Sequence, residues 1–260
     1  MRLRLVLFAG ALLGLAPAAQ AHDPDALWKI VHGRCVPDQQ AHADPAPCAS
    51  VDLSHGEAAG SAVLKDIAGA EQYLLIPTAR ITGIESPAIL APDAPNYFAA
   101  AWAATTRVDE RLHRVLPRQD FALAINSLRG RSQNQLHIHV DCIRADIRDA
   151  LDRAASRIDT RWRMLPMRLA LHRYRALWLP GETPDANPFR LLAASLADPA
   201  AEMGRHTLVL VGATRRGQPG FMLLDGMSGP LSLTLVQRVK VGPGSGEELE
   251  DHACRIAEPE

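Results

Sequence analysis

The sequence lacks an excess of charge of either sign, and beyond its N-terminal segment it lacks an apolar run long enough to cross a bilayer. A formal net charge of -1 gives no general reason to expect nucleic-acid binding. No clear internal repeat and no low-complexity linker divide the chain, which argues against a repeat array or tethered domains. Because 47% of the residues are apolar, the chain can bury one substantial core without metals. We therefore predict a single α+β domain with a C-terminal extension over residues 22–260.

The N-terminal segment has the composition of an export signal. Arg2 and Arg4 precede an apolar run over residues 5–18, and Ala19-Gln20-Ala21 supplies the small-x-small pattern that signal peptidase reads. The run is shorter than the roughly 20 apolar residues of a membrane-spanning helix. We expect residues 1–21 to be cleaved after Ala21, with retention as an N-terminal membrane anchor as the alternative.

The sequence has four cysteines, an even number that favours structural disulfides in an exported protein over catalytic thiols or zinc. Three pairings are possible in principle. Cys35 and Cys48 bracket a polar, proline-rich loop whose closure contributes roughly 3 kcal/mol through unfolded-state entropy. We therefore predict Cys35–Cys48 as a local link and Cys142–Cys254 as a long-range one.

Hydrophobic periodicity predicts alternating helices and antiparallel hairpins. Asn96 is expected to cap the longest helix and Pro117 to end it. The predicted helices cover residues 25–36, 96–116 and 147–158. The predicted strands cover residues 61–65, 72–77, 121–126, 136–143, 207–211 and 220–225.

The most informative segment is the predicted strand that contains two histidines in a His-x-His pattern. On a strand successive side chains alternate between faces, so one face is polar and the other belongs to the core. The polar face carries Gln135, His137, His139 and Asp141, and the apolar face carries Leu136, Ile138, Val140 and Cys142.

A His-x-His pair alone fits a metal site, a catalytic site or an ordinary strand. A zinc site would need a third protein ligand. His22, His32, His42 and His55 cluster only in a polar segment that is more simply interpreted as solvated.

The segment resembles the histidine-triad motif, in which three histidines alternate with apolar residues on a strand of an antiparallel sheet. His137 matches the middle histidine, which attacks phosphorus in that superfamily, and His139 matches the third, which contacts phosphate oxygens. Gln135 replaces the first, although its amide can still donate a hydrogen bond. Gly130-Arg131-Ser132 lies where the superfamily has a turn that presents donors to phosphate. The implied fold is a histidine-triad-like antiparallel sheet with packed helices.

Several blocks in order resemble the CDP-diacylglycerol pyrophosphatase family of exported bacterial enzymes. They are residues 47–49, 63–66, 73–78, 83–87, 123–127, 142–144 and 251–254. The resemblance implies hydrolysis of CDP-diacylglycerol to CMP and phosphatidate, with no cofactor and no metal required. It also implies a periplasmic enzyme associated with the inner membrane.

In this hypothesis His137 is the nucleophile, and covalent capture divides one hydrolysis into two displacements. Candidates for stabilising charge on the phosphate are backbone N–H groups and a set of polar side chains. These side chains are His139, Gln135, Ser132, Arg131, Lys65 and Arg144. For each cation, a solvated surface charge is an equally simple interpretation. Asn126 either holds substrate or forms a turn, and Asp141 either orients an imidazole or faces solvent.

Residues 157–178 interleave arginines with tryptophans, methionines and leucines. This mixture suits a surface facing anionic lipid head groups, but it also suits a strand pair with apolar residues inside and arginines in water.

Two other functions remain open. One is a histidine-triad hydrolase or nucleotidyltransferase for soluble nucleotides, which export disfavours, and the other is a periplasmic metal-binding protein using His137 and His139.

Overall fold

The fold is organised around one antiparallel sheet. A computed structural model describes residues 23–227 and 245–258. Within them, nine strands follow the order β1-β2-β3-β5-β4-β8-β9-β7-β6, and each neighbouring pair is antiparallel. The strands are β1 Ser50–Asp52, β2 Ser61–Lys65, β3 Tyr73–Pro77, β4 Phe121–Ile125, β5 Ile138–Cys142, β6 Arg163–Leu169, β7 His172–Pro180, β8 His206–Arg215 and β9 Gln218–Met227.

Short helices precede β1 or connect later strands, and they cover both faces of the sheet. They are α1 Ala26–Ile30, α2 Val36–His42, α3 Tyr97–Ala103, α4 Thr105–Leu112, α5 Ala145–Ala154, α6 Pro188–Ala193 and α7 Pro199–Glu202. A π-helical turn, Val31–Cys35, joins α1 to α2. None of the helices in the described residues is long and apolar enough to cross a membrane.

One face of the sheet carries the largest core. Tyr97 and Phe98 of α3, Val108 of α4 and Phe189 of α6 pack on it. The alternate residues predicted to point inward from the His-x-His strand all belong to this core, as expected for side chains on one face of a strand. They are Leu136, Ile138, Val140 and Cys142.

The opposite face carries two separate apolar clusters, one on each side of β5. Leu27 of α1 and Val36 of α2 cover β2 and β3, whereas Ile147 and Leu151 of α5 cover β4, β8 and β9. His139 on β5 lies opposite one residue from each cluster, Leu74 on β3 and Ala124 on β4. The polar face of β5 therefore forms a strip between two apolar regions.

Both predicted hairpins are confirmed, as β2–β3 and β8–β9. The long helix predicted over residues 96–116 is instead two helices, and α4 ends early with His113 in a left-handed conformation, φ 52°. Pro117 disfavours helical geometry for Leu116, and Val115 is 82% exposed rather than buried. The Asn96 cap is confirmed, since its side chain accepts a hydrogen bond from Ala99 N.

The other predicted elements occur with shifted bounds. The helix predicted over residues 25–36 continues through the π-helical turn to His42, and Pro37 lies at the start of α2, directly after the π-helical turn. The helix predicted over residues 147–158 is α5, followed by a 3₁₀ turn at Ala155–Arg157.

Two disulfides fasten the chain, and both pairings are the predicted ones. Cys35–Cys48 links the N-terminal helices to the segment before β1, and Cys142–Cys254 links the end of β5 to the C-terminal segment. The predicted export signal, residues 1–21, lies outside the described residues.

Candidate functional site

The two histidines of the His-x-His pair lie side by side at the start of β5. Their ring centroids are 5.0 Å apart, and the ring planes meet at 66°. His137 and His139 are each 6% exposed. Both imidazoles are therefore largely removed from water.

The surroundings of His137 fix its tautomer. Its Nδ1 lies 2.7 Å from the backbone carbonyl of Gln135. A carbonyl only accepts hydrogen bonds, so Nδ1 carries the proton and the lone pair is on Nε2. Burial, together with the neighbouring His139, lowers the pKa of His137 to about 4, against the opposing effect of the Gln135 carbonyl. At neutral pH the ring is thus an uncharged imidazole with a free Nε2.

His139 lies between a neutral and an acidic partner. The amide Nε2 of Gln72 lies 2.5 Å from His139 Nδ1, and Glu247 Oε2 lies 2.9 Å from His139 Nε2. With the Gln72 amide donating to Nδ1, the neutral ring carries its proton on Nε2, which faces the carboxylate. Gln72 and Glu247 were not among the residues predicted from the sequence.

Glu247 is ionised despite partial burial. Burial raises its pKa, but the contact with His139 and the hydrogen bond from Asn126 outweigh that effect and hold the pKa at about 2. Asn126 Nδ2 donates to Glu247 Oε2 at 2.9 Å. Asn126 therefore occupies the site as a partner of this carboxylate.

A close backbone approach brings Glu247 to the histidines. Glu247 lies in a 3₁₀ turn, Gly246–Leu249, that packs directly on β4 and β8. A Cβ on Gly246 would lie 2.6 Å from Thr207 Oγ1 and 3.0 Å from Val209 Cγ2. Only glycine allows the turn to come this close to the sheet.

Gln135 is fully buried and anchors the loop before β5. Its amide Nε2 donates to Pro77 O at 3.0 Å and to Ala79 O at 2.9 Å. Both N–H donors are thus occupied, and Oε1 has no hydrogen-bond partner among the described residues. In this arrangement the amide has no donor left for another acceptor.

Arg131 and Ser132 lie in the turn before β5 with different exposure. The Arg131 guanidinium is paired with Glu85 and also contacts Asn134 Oδ1 at 3.5 Å. Its positive charge is close enough to His137 to lower the pKa of that imidazole slightly. Ser132 is exposed.

Lys65 and Arg144 form hydrogen bonds and an ion pair with residues outside the histidine pair. Lys65 Nζ donates to Asp66 O at 2.7 Å and to Gly69 O at 2.9 Å. Arg144 pairs with Asp146 at 2.8 Å and donates to Glu248 O at 3.1 Å. Neither contact set includes His137 or His139.

A cavity of about 810 Å³ opens beside Glu247. Arg144 and the C-terminal segment line it, with Glu248, Glu250, Asp251 and His252 among the lining residues. The two central histidines do not line it, so Glu247 is the residue that this cavity shares with the histidine pair.

The arginine-rich segment forms the edge strand β6 and its neighbour β7, which is the strand pair that one of the two interpretations of the sequence expected. Leu165 and Leu169 are buried, whereas Arg163, Arg168 and Arg173 are exposed. Met164 departs from that pattern because it is 60% exposed. A second cavity, of about 550 Å³, borders this edge, and Met164, Arg168, Arg173 and Met227 are among its lining residues.

Comparison with known protein families identifies the family to which this chain belongs. The family model described as CDP-diacylglycerol pyrophosphatase matches residues 22–258. The chain belongs to the CDP-diacylglycerol pyrophosphatase family. It is therefore a hydrolase of that kind, and the resemblance inferred from the sequence blocks is confirmed at the level of this family.

The geometry is suited to attack on an electrophile by one imidazole with assistance from the other. His137 is largely buried and offers an unprotonated Nε2, and His139 Nε2 lies 2.9 Å from an ionised carboxylate. For a CDP-diacylglycerol pyrophosphatase, the electrophile would be a phosphorus atom of the diphosphate.

Proposed function

We propose that this enzyme hydrolyses the diphosphate bond of CDP-diacylglycerol to CMP and phosphatidate, and that His137 is the nucleophile. The fixed tautomer of His137 carries the proposal. An imidazole with Nδ1–H bound to a carbonyl has its lone pair on Nε2, and its lowered pKa keeps that lone pair free of a proton at neutral pH.

The proposed reaction has two displacements at the cytidyl phosphorus. Nε2 of His137 forms a P–N bond as the P–O bond to phosphatidate breaks, and phosphatidate leaves with the electron pair. Water then attacks the same phosphorus, the P–N bond breaks, and CMP leaves with the oxygen of that water. Two inversions at phosphorus give net retention.

His139 and Glu247 are proposed to act as a pair beside this nucleophile. Glu247 is ionised and lies 2.9 Å from the protonated Nε2 of His139, so it orients this N–H, which a phosphate oxygen can share when substrate is bound. The proton that the attacking water loses goes to solvent. The charge of Arg131, fixed by Glu85, favours negative charge on the phosphate oxygens. A relationship to the histidine-triad superfamily is proposed on the same motif.

The rival interpretation of His137 and His139 as metal ligands has less support from the contacts. The Gln72 amide donates to Nδ1 of His139, and the proton of the neutral ring is on Nε2, so His139 has no free lone pair for a metal ion. In the part of the chain that the structure describes, the one group of three side chains with metal-ligand spacing does not include either of these histidines.

Trapping the intermediate tests the nucleophile. Purified enzyme is mixed with CDP-diacylglycerol labelled on the cytidyl phosphate and quenched in base, which preserves phosphohistidine. Label should be found on His137, and His137→Ala should lose both label and turnover. His139→Ala should retain the nucleophile and lose ~10²–10³-fold in kcat, the scale of one lost transition-state interaction.

A histidine outside the site provides the control. His55 is exposed and forms a hydrogen bond with the neighbouring Ser54, away from the histidine pair, so His55→Ala should behave as wild type. Near-normal turnover by His137→Ala would refute the mechanism. Equal CMP release from soluble cytidine diphosphate esters would refute the lipid substrate and favour the soluble-nucleotide alternative.

We further propose that the enzyme is exported to the periplasm and works at the surface of the inner membrane. Exposed Met164 beside Arg168 and Arg173 at the sheet edge supports a lipid-facing surface there.

Replacing Arg163, Arg168 and Arg173 by glutamine should weaken binding to anionic vesicles. The matched control replaces three exposed arginines elsewhere, Arg34, Arg153 and Arg216. Equal vesicle binding by the two triple variants would leave these strands with a structural role only.

A further inference from the structure

A second cluster of titratable side chains lies beyond the histidine pair, and the proposed hydrolysis does not use it. Asp141, Glu250 and His252 each present one ligand atom, and these atoms all lie within 4.8 Å of one another. Asp141 is 0% exposed and Glu250 is 5% exposed. The two carboxylates are thus largely shielded from water, and both Glu250 and the half-buried His252 line the large cavity.

Glu250 has no partner for either of its carboxylate oxygens. Oε1 and Oε2 are both buried, and neither accepts a hydrogen bond from any side chain or backbone group in residues 23–227 and 245–258. Asp141 differs, because it accepts from Cys142 N at 2.8 Å and faces His252 Nδ1 at 2.9 Å. A buried carboxylate that lacks hydrogen bonds is strongly unfavourable unless it is neutralised or paired with a cation.

The electrostatics of the cluster point in the same direction. Burial and the nearby charges of Asp141 and Glu247 raise the pKa of Glu250 well above its usual range. Burial also raises the pKa of Asp141, although His252 opposes this effect. These shifts reflect the cost of placing two carboxylates close together away from water, a cost that a cation bound between them would offset.

The backbone holds the three side chains in place before any ion binds. Ile143 and Glu250 form an antiparallel bridge, and Asp251 N donates to Cys142 O at 2.8 Å. The Cys142–Cys254 disulfide adds a covalent link on the same two segments. Ligands from β5 and from the C-terminal segment are thus fixed relative to each other, and such fixing lowers the entropic cost of binding.

We propose that Asp141, Glu250 and His252 bind one divalent transition-metal ion, with further coordination positions open to water. Two carboxylates and one imidazole are a donor set that suits Zn²⁺ or Mn²⁺. Binding requires an unprotonated imidazole nitrogen and ionised carboxylates, so the ion replaces the protons that these three groups carry, which are released to solvent. The ion would link Asp141 on β5 to the C-terminal segment, in which Glu250 lies three residues after Glu247. This proposal goes beyond the proposed hydrolysis and does not depend on it.

Direct metal binding tests the proposal without measuring activity. The full-length protein is stripped with a chelator, dialysed and titrated with Mn²⁺, followed by electron paramagnetic resonance, and with Zn²⁺, followed by calorimetry. We expect one ion per chain. Loss of an outer-shell partner alone costs about 10–100-fold in metal affinity, so Glu250→Gln, which removes a direct ligand, should cost at least ~100-fold.

Three further variants distinguish binding at this cluster from binding at the histidine pair and from misfolding. His252→Gln, at a half-buried position, should lose metal affinity in the same way. It provides a second test of the site in case Glu250→Gln does not fold. Glu110→Gln, on an exposed helix surface, and His137→Ala should bind the ion as wild type does. Absence of stoichiometric binding, unchanged affinity in both Glu250→Gln and His252→Gln, or a loss confined to His137→Ala would overturn the proposal.

Discussion

Replacing Glu247 by glutamine removes one negative charge from the histidine site while preserving side-chain size. The carboxyl pKa of Glu247 is lowered from 4.5 to about 2, which corresponds to at most about 3 kcal/mol of interaction with the ionised form. The side chain is 35% exposed, so solvent screening reduces this amount, and we expect a loss of ~1–2 kcal/mol at neutral pH. For a chain of this size the melting temperature should fall by ~2–8 °C.

The pH dependence of this loss has a defined sign. A carboxyl whose pKa is depressed on folding stabilises the folded state fully above its unfolded pKa, and the stabilisation disappears as pH falls through the folded value. The difference between wild type and Glu247→Gln should therefore shrink from pH 4.5 toward about 2. Calorimetry across this window measures it.

Glu110→Gln is the matched control, because Glu110 is 60% exposed and pairs with Arg107 at 2.9 Å. A pair of this kind contributes at most ~1 kcal/mol, so that variant should differ little from wild type at any pH. Equal stability of Glu247→Gln and wild type at neutral pH would refute the assigned interaction. A difference that persists undiminished in acid would also refute it.

Two further predictions concern the same site. Gly246→Ala should reduce kcat at least ~10-fold and destabilise the fold by ~1–3 kcal/mol, because the added Cβ would lie 2.6 Å from Thr207 Oγ1 and would push Glu247 away from the sheet. Gly33→Ala, where a Cβ meets nothing within 4 Å, should be neutral, and an unchanged kcat in Gly246→Ala would contradict the positioning argument. The His137 imidazole should titrate near pH 4 in ¹⁵N nuclear magnetic resonance spectra of the intact protein, and a value near 6.5 would show that the ring is solvated.

Local sequence patterns were sufficient to predict much of the sheet. The alternation around His137 placed Leu136 and Ile138 in the core and the histidines on the opposite face, because a strand has a strict period of two. The two hairpins followed from short apolar runs separated by turn-length segments. Helix ends were less predictable, since His113 ends α4 through a left-handed conformation for which the apolar spacing gives no signal.

The acidic half of the histidine site was missed because it comes from a distant part of the chain. Glu247 contacts His139 across 108 positions, a separation that no local periodicity reports. One signal was nevertheless present. The predicted Cys142–Cys254 disulfide requires the segment just before Cys254 to run beside β5, and following that constraint back would have brought Glu247 and Glu250 toward the histidines.

Gln135 shows why the departure from the triad pattern matters for the position of His137. Its backbone carbonyl accepts from His137 Nδ1, and its amide donates to the carbonyls of Pro77 and Ala79 at the end of β3. A neutral imidazole at this position has a single N–H, so it could bond only one of those two carbonyls, and a buried carbonyl left unpaired costs ~1–3 kcal/mol. One residue thus fixes the loop through its side chain and the nucleophile's tautomer through its backbone. A histidine here would restore the triad in sequence but would remove one of the two side-chain bonds that anchor the loop before His137.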